Sequence, residues 1–218
     1  MSQVVNAKQV SELRAKTGAG IMDCKKALAE SNGSVEQAIE SLRKKGLSSA
    51  SKKAGRVASE GAVGSYIHAG GKIGVMVEVN CETDFVGRND NFQRFVRDVA
   101  MHIAAANPTF LHRDDVPKET IDKEREILTA QIAEEGKPKE VAERIVEGRI
   151  AKFFKENVLL EQPFVKEPEK SVEQVLNEVA SKIGEKIVVR RYQRFALGEG
   201  IEKRSEDFAA EVAKAAAG

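Results

Sequence analysis

No tryptophan occurs in this sequence, and cysteine and histidine are scarce, at two and three residues. Cys24 and Cys81 sit inside helix or strand patterns, too few and too far apart for a disulfide framework or a metal-ligand spacing. A reducing compartment is the simpler reading. His68, His102 and His112 are scattered, with no cysteine at ligand spacing. His68 falls in a strand pattern and His102 in a helix pattern, where a partly buried structural histidine is the commoner outcome. No Gly-Lys-Ser/Thr phosphate loop is present. Gly18-Ala19-Gly20 follows a helix pattern rather than a strand and lacks the third glycine of a dinucleotide fingerprint. The acid pairs Asp114-Asp115 and Glu134-Glu135 read as solvated surface. Nothing approaches the run of roughly 18 apolar residues that suggests a membrane span. The first residues carry neither a signal-peptide core nor an Arg/Ser-rich transit segment. A soluble, cytoplasmic protein is expected. Charge of one sign is missing too: 35 basic residues against 34 acidic leave a net +1, which speaks against a general nucleic-acid binder. Together these absences argue against an enzyme of covalent chemistry and call for no cofactor or metal. An interaction protein remains.

What is there organises 218 residues, 41% of them hydrophobic, into enough core for one or two domains. Residues 6 to 46 read as three short helices. Asn6 is an N-cap ahead of Val10, Leu13 and Arg14. Gly18-Ala19-Gly20 makes the first connection. Ile21, Cys24 and Leu28 mark the second helix, closed near Asn32-Gly33. Ser34 with Gln37 forms a capping box before Val35, Ala38, Ile39 and Leu42. Residues 47 to 60 read as a solvated helical linker, with Lys52, Lys53 and Arg56 following Arg43, Lys44 and Lys45. A phosphate-binding patch is the sharper reading of that run. Strands are expected at 62–69 and 72–81, joined through Ala69-Gly70-Gly71. Helices follow at 90–106, 117–135 and 138–160, the last with a ladder of Ala142, Val146, Ile150, Phe154 and Val158. Gln162-Pro163 and Glu167-Pro168 break the chain. Ser171 with Gln174 opens a capped helix to 183, and a strand runs from Lys186 to Leu197. The Ala- and Glu-rich tail reads as a frayed helix. The fold class is α+β, a helix-rich core with a small antiparallel sheet.

The most informative stretch is Cys81-Glu82-Thr83-Asp84-Phe85-Val86-Gly87. Ile73, Val75, Val77, Val79 and Cys81 alternate with polar or small neighbours, which predicts a half-buried strand. Phe92, Phe95, Val96, Val99 and Ile103 fall at helical spacing beyond it. The corner between carries an acid beside a large aromatic, where rigid elements on both sides hold a loop of the kind that binds. By pattern alone, Phe85 staples the next helix onto the sheet, and Ile21 and Met22 pack into the core of their bundle.

Two segments change that weighting. Leu13 to Leu28 (LRAKTGAGIMDCKKAL) closely resembles the N-terminal signature of the elongation factor Ts family. Asn80-Cys81-Glu82-Thr83-Asp84-Phe85-Val86 resembles its second signature, at the expected distance. Phe164-Val165 and Arg190-Arg191-Tyr192-Gln193-Arg194-Phe195 are similar to its C-terminal segments, so the likeness covers nearly the whole chain. That family comprises the guanine-nucleotide exchange factors of elongation factor Tu. The resemblance implies a ubiquitin-associated-like helical bundle at residues 1–55, docking on the partner's GTPase domain. It implies an α+β, dimerisation-type core at 56–200 and a tail at 201–218. Thr83, Asp84, Phe85 and Val86 would intrude beside the partner's nucleotide and displace its magnesium. Arg14, Thr17, Gly18, Ala19, Gly20, Ile21 and Met22 would form the docking surface. The chain resembles the compact form of the family, some members of which pair through their sheets. A homodimer is therefore an open expectation, and no cysteine near the C-terminus would make it covalent. The competing reading is a ribosome- or RNA-associated helical binding protein, motivated by the run from Arg43 to Arg56.

Overall fold

The computed structural model describes residues 6–17, 19–53, 55–134 and 138–201. Gly18 and the expected helical tail after Ile201 lie outside the described residues. The α+β expectation is met by helices arranged around a small antiparallel sheet.

Three helices come first: α1 (Ala7–Thr17), α2 (Ile21–Glu30) and α3 (Val35–Lys53). Asn6 Oδ1 accepts from Lys8 N–H at 3.0 Å, opening α1 as an N-cap should. Asn32 and Gly33 take left-handed conformations (φ 47 and 82) between α2 and α3, and Gln37 N–H donates to Ser34 Oγ. Leu13, Cys24, Ala27, Leu28 and Ala38 form the bundle's own core. One expectation is corrected here. α3 runs through Gly46 to Lys53 and takes in the first half of the expected linker. An interior glycine costs about 1 kcal/mol relative to alanine, too little to stop a helix with Ser, Ala and Lys on either side. Ile21 and Met22, expected by pattern to pack inward, are instead exposed. They occupy the first turn of α2; Ile21 lies along the face of Cys24 and Leu28 but at its very start, and Met22 lies off that face.

The sheet consists of β1 (Glu60–Ile67), β2 (Ile73–Cys81) and β5 (Ile187–Ala196), in the order β1-β2-β5 with both pairings antiparallel. Gly70 and Gly71, at φ 86 and 68, supply the left-handed turn between the first two strands. His68 belongs to that turn rather than to the strand. Its ring is exposed and meets the Tyr66 hydroxyl at 3.1 Å. The inner face of β2 is Val75, Val77, Val79 and Cys81, as its alternation predicts. In β5 the inward phase changes midway. Ile187 and Val189 face in, then Tyr192 and Arg194, because the register slips opposite Glu78/Val79. Arg190 is the additional residue of this bulge, and a one-residue slip exchanges the faces. As a result two consecutive arginines grip one carboxylate: Arg190 Nη1 and Arg191 Nε donate to Glu78 at 2.8 and 2.6 Å.

Against the inner face packs α5 (Asp90–Ala106), through Phe92, Phe95, Val96, Val99, Ala100 and Ile103. α6 (Lys118–Glu134) and α7 (Lys139–Asn157) pair with one another around Leu128, Ile132, Val146, Ile150, Phe154 and Val158. α7 stops three residues short of the expected 160, since Val158 leaves the helical region at φ −102, ψ 115. Gln162-Pro163 and Glu167-Pro168 do not simply break the chain. Pro163 and Glu167 open the two strands of a minimal ladder, β3 (Pro163–Phe164) and β4 (Glu167–Ser171), irregular enough to leave Pro168 outside the paired residues. α8 (Val172–Ile183) opens with a reciprocal capping box between Ser171 and Gln174, and ends at Gly184 in the left-handed region, φ 91. Its flank meets α3, bringing bundle and core together. Among the described residues no helix is long and apolar enough to cross a membrane.

Candidate partner-docking site

Thr83 turns the end of β2 into a helix start. Its backbone is extended (φ −127, ψ 152), and its hydroxyl oxygen accepts from Val86 N–H at 3.4 Å, which caps the single-turn helix α4 (Asp84–Gly87). Behind the cap, Cys81 Sγ donates to Thr83 O at 3.1 Å. Burial pushes the Cys81 thiol up from its ordinary value, nearby carboxylates act the same way and the Thr83 hydrogen bond opposes them, as suits a cysteine packed in the core.

One side of α4 is fixed against the core. Val86 is 5% exposed within the sheet–helix cluster. Gly87 lies against β1 so closely that an added Cβ would stand 3.1 Å from Gly61 O, and Gln93 Nε2 donates to Gly87 O at 2.6 Å. Gly61 itself has φ 138, with the space of its absent Cβ filled by Val79 O. Only glycine fits that approach. Asn89 then caps α5, accepting from Asn91 N–H at 2.9 Å.

With its inner side held, the outer side of α4 projects. Phe85 is 78% exposed, among the most exposed large apolar side chains described. Asp84 is exposed too, paired at 2.6 Å with Arg88 one turn on. Four residues read together from the sequence thus divide by position. Asp84 and Phe85 project into solvent, Thr83, also exposed, caps the turn, and Val86 anchors it in the core.

Glu185 is a participant that sequence reasoning missed. It accepts hydrogen bonds from Glu82 N–H at 3.0 Å, Thr83 N–H at 3.1 Å and the Thr83 hydroxyl at 2.7 Å. No local pattern marks it, because its partners lie a hundred residues earlier.

The bundle carries the second set. Arg14, Gly20, Ile21 and Met22 are exposed, with Ile21 at 56% and Met22 at 76%, whereas Thr17 and Ala19 are half-buried. Thr17 Oγ1 donates to Leu13 O at 2.7 Å and accepts from Ala19 N–H at 3.3 Å, so it shapes the turn into α2. The N-terminal turn of α2 therefore exposes two adjacent apolar side chains.

The basic run is largely matched by acids. Lys44 pairs with Glu40, Lys45 with Asp23, and Arg56 with Glu82. The side chains of Lys52 and Lys53 lie outside the described residues. His102 is buried, with Nδ1 accepting from Val165 N–H at 3.2 Å and Nε2 at 2.9 Å from Gln162 Oε1. It serves the core, as its helix position suggests.

Residues 4–199 match the profile of the family described as Elongation factor TS. A protein of Geobacter sulfurreducens named Elongation factor Ts is 65% identical over 212 residues, covering 97% of this chain and 98% of the relative. Relatives of the same name from Geobacter metallireducens and Desulforamulus reducens are 61% and 60% identical. They cover 97% and 96% of this chain, and 98% and 96% of their own lengths. The chain belongs to the elongation factor Ts family.

Proposed function

We propose that this chain is a translation factor that binds elongation factor Tu carrying GDP and speeds release of the nucleotide, so that GTP can replace it. No bond is made or broken. Phe85 acts as a wedge between the elements that hold the partner's magnesium and phosphates, and Asp84 competes electrostatically for the metal's surroundings. The observation that carries this reading is the 78% exposure of Phe85 on a corner whose other side is fixed in the core.

Magnitudes divide the work. An exchange factor weakens nucleotide binding by as much as nucleotide weakens its own binding. A thousandfold coupling corresponds to about 4 kcal/mol. Covering a phenylalanine contributes on the order of 2–3 kcal/mol, so Phe85 needs Asp84 and a docked bundle beside it. The Asp84–Arg88 pair is solvent-exposed, and such pairs are worth at most about 1 kcal/mol, so the carboxylate is readily released to a new partner. Ile21 and Met22, with Arg14 and the Thr17–Gly20 turn, supply docking area. We further propose that the outer face of the sheet, where Val63, Ile67, Met76 and Phe195 are exposed, pairs with a second copy.

Release of labelled GDP from elongation factor Tu tests the wedge. Phe85→Ala should lower the acceleration by about tenfold to a hundredfold, and Asp84→Ala should lower it as well. Undiminished acceleration by both variants, with folding intact, sinks the assignment.

A further inference from the structure

The ladder between β2 and β5 ends at Cys81↔Ile187, so the N–H groups of Glu82 and Thr83 come just after the last strand pair. The Glu82 N–H is half-buried and needs an acceptor, and the more exposed Thr83 N–H beside it shares the same one. Gly184 brings that acceptor into place. Its left-handed turn ends α8 and swings Glu185 toward the corner, where one carboxylate takes both N–H groups and the Thr83 hydroxyl. The hydroxyl proton is thereby committed to Glu185, leaving an oxygen lone pair facing Val86 N–H, the bond that starts α4.

Reciprocal bonds close the arrangement. Glu82 Oε1 accepts from Lys186 N–H at 2.6 Å. Lys186 Nζ donates to Arg56 O at 2.9 Å, and Arg56 Nη1 lies 3.3 Å from both oxygens of Glu82. Three separate segments, ahead of β1, after β2 and ahead of β5, are bound in one ring. Phe85 stands two residues beyond Thr83 and is 78% exposed, so its direction follows from this ring and the anchored side of α4.

We infer that Glu185 is a positioning residue for nucleotide exchange: its carboxylate sets the pitch of α4 and so the direction in which Phe85 projects. This rests on the exchange role proposed for Phe85. Glu185 touches neither the partner's nucleotide nor its metal; it acts through Thr83. Its loss should reduce the maximal rate of exchange while sparing the affinity that the bundle provides.

The test measures release of labelled GDP from elongation factor Tu over a range of concentrations of the full chain. Glu185→Ala should cut the maximal rate by about tenfold, the worth of one charge-assisted hydrogen bond, and should leave the half-saturating concentration nearly unchanged. Glu185→Gln, which keeps an oxygen for the backbone donors, should fall between it and the parent protein. In a Phe85→Ala background, Glu185→Ala should add less than about a twofold loss, because residues acting through one group are not additive. If Glu185→Ala unfolds in a thermal melt, Glu185→Gln carries the same cycle. A full maximal rate for the Glu185 variants, with Phe85→Ala impaired, overturns the positioning role and leaves the wedge standing. Losses that multiply in the double variant also overturn it, marking the ring as general support. Full activity of Phe85→Ala removes the wedge and this inference together.

Discussion

A phenyl ring left in water forgoes the hydrophobic stabilisation that its burial would give its own fold, about 2–3 kcal/mol. Phe85 is held in that condition by neighbours. Gly87 against Gly61 and Val86 in the core fix the helical turn so that the ring points outward. Other side chains set how the protein responds to acid. The His102 ring is buried, and desolvation holds it below its ordinary value of 6.5, with the Gln162 hydrogen bond acting in the opposite direction. In the unfolded chain it regains that ordinary value. As pH falls below about 6.5, the unfolded state takes up a proton that the folded state refuses, and folding stability declines. Above that range the contribution is flat. The Glu78 carboxylate is drawn down to about 2 by its hydrogen bonds from Arg190 and Arg191. Its contribution is intact above the usual carboxylate range and is lost only as pH falls from there toward about 2. Two separate losses are expected. Denaturant unfolding at a series of pH values should show that His102→Gln flattens the decline between pH 7 and 5, and that Glu78→Gln flattens only the more acidic one. An unchanged slope between pH 7 and 5 in His102→Gln refutes this reading of the histidine.

Elements built on strict periodicity were readable from the chain alone. The alternation of β2 and the helical stripe of α5 anticipate the sheet–helix core, because burial of one face forces that spacing. Ser171 and Gln174 announced α8, and both bonds of the capping box are present. What escaped depended on contacts between distant segments. The bulge at Arg190 carries no turn signal and shows only as two adjacent arginines in an alternating strand. The β3–β4 ladder hides behind two prolines. At the site, the motif was legible as a corner, but pattern alone folded Phe85 inward, whereas it is exposed, and Glu185 could not be found without the fold. The bundle presents the same ambiguity at Ile21 and Met22. Its core is separate from that of the sheet, and its flank meets α8 through α3. A chain starting at Arg56 therefore retains the sheet, α4 and the Arg56 link of the ring. Such a truncation should raise the concentration giving half-maximal GDP release by at least about tenfold, from the loss of two apolar contacts. The maximal rate should fall much less. Unchanged half-saturation rules out docking by the bundle.

For the molecule as a whole, the sheet has one covered side and one bare side. Helices α5 and α8 lie over the inner face. On the outer face the register places Val63, Ser65 and Ile67 beside Glu78, Met76 and Gly74, and these beside Arg191, Gln193 and Phe195. Val63, Ile67, Met76 and Phe195 are 54% to 66% exposed. At one edge of this apolar area stands the Glu78–Arg190–Arg191 cluster, the kind of polar rim that surrounds a protein interface. Four side chains from each of two copies, at about 1–1.5 kcal/mol apiece, would contribute on the order of 10 kcal/mol. Association costs an estimated 4–15 kcal/mol in lost freedom. The terms nearly cancel, so pairing should be reversible and dependent on concentration rather than permanent. Sedimentation velocity across a dilution series should show monomer and dimer in exchange. Phe195→Glu places a charge within the patch, across Gly74 from Ile67, and should leave monomer alone. Because the patch lies on a different face from the α4 corner, that variant should still release GDP when saturating. A parent chain that sediments as monomer throughout the series leaves the bare face to some other partner.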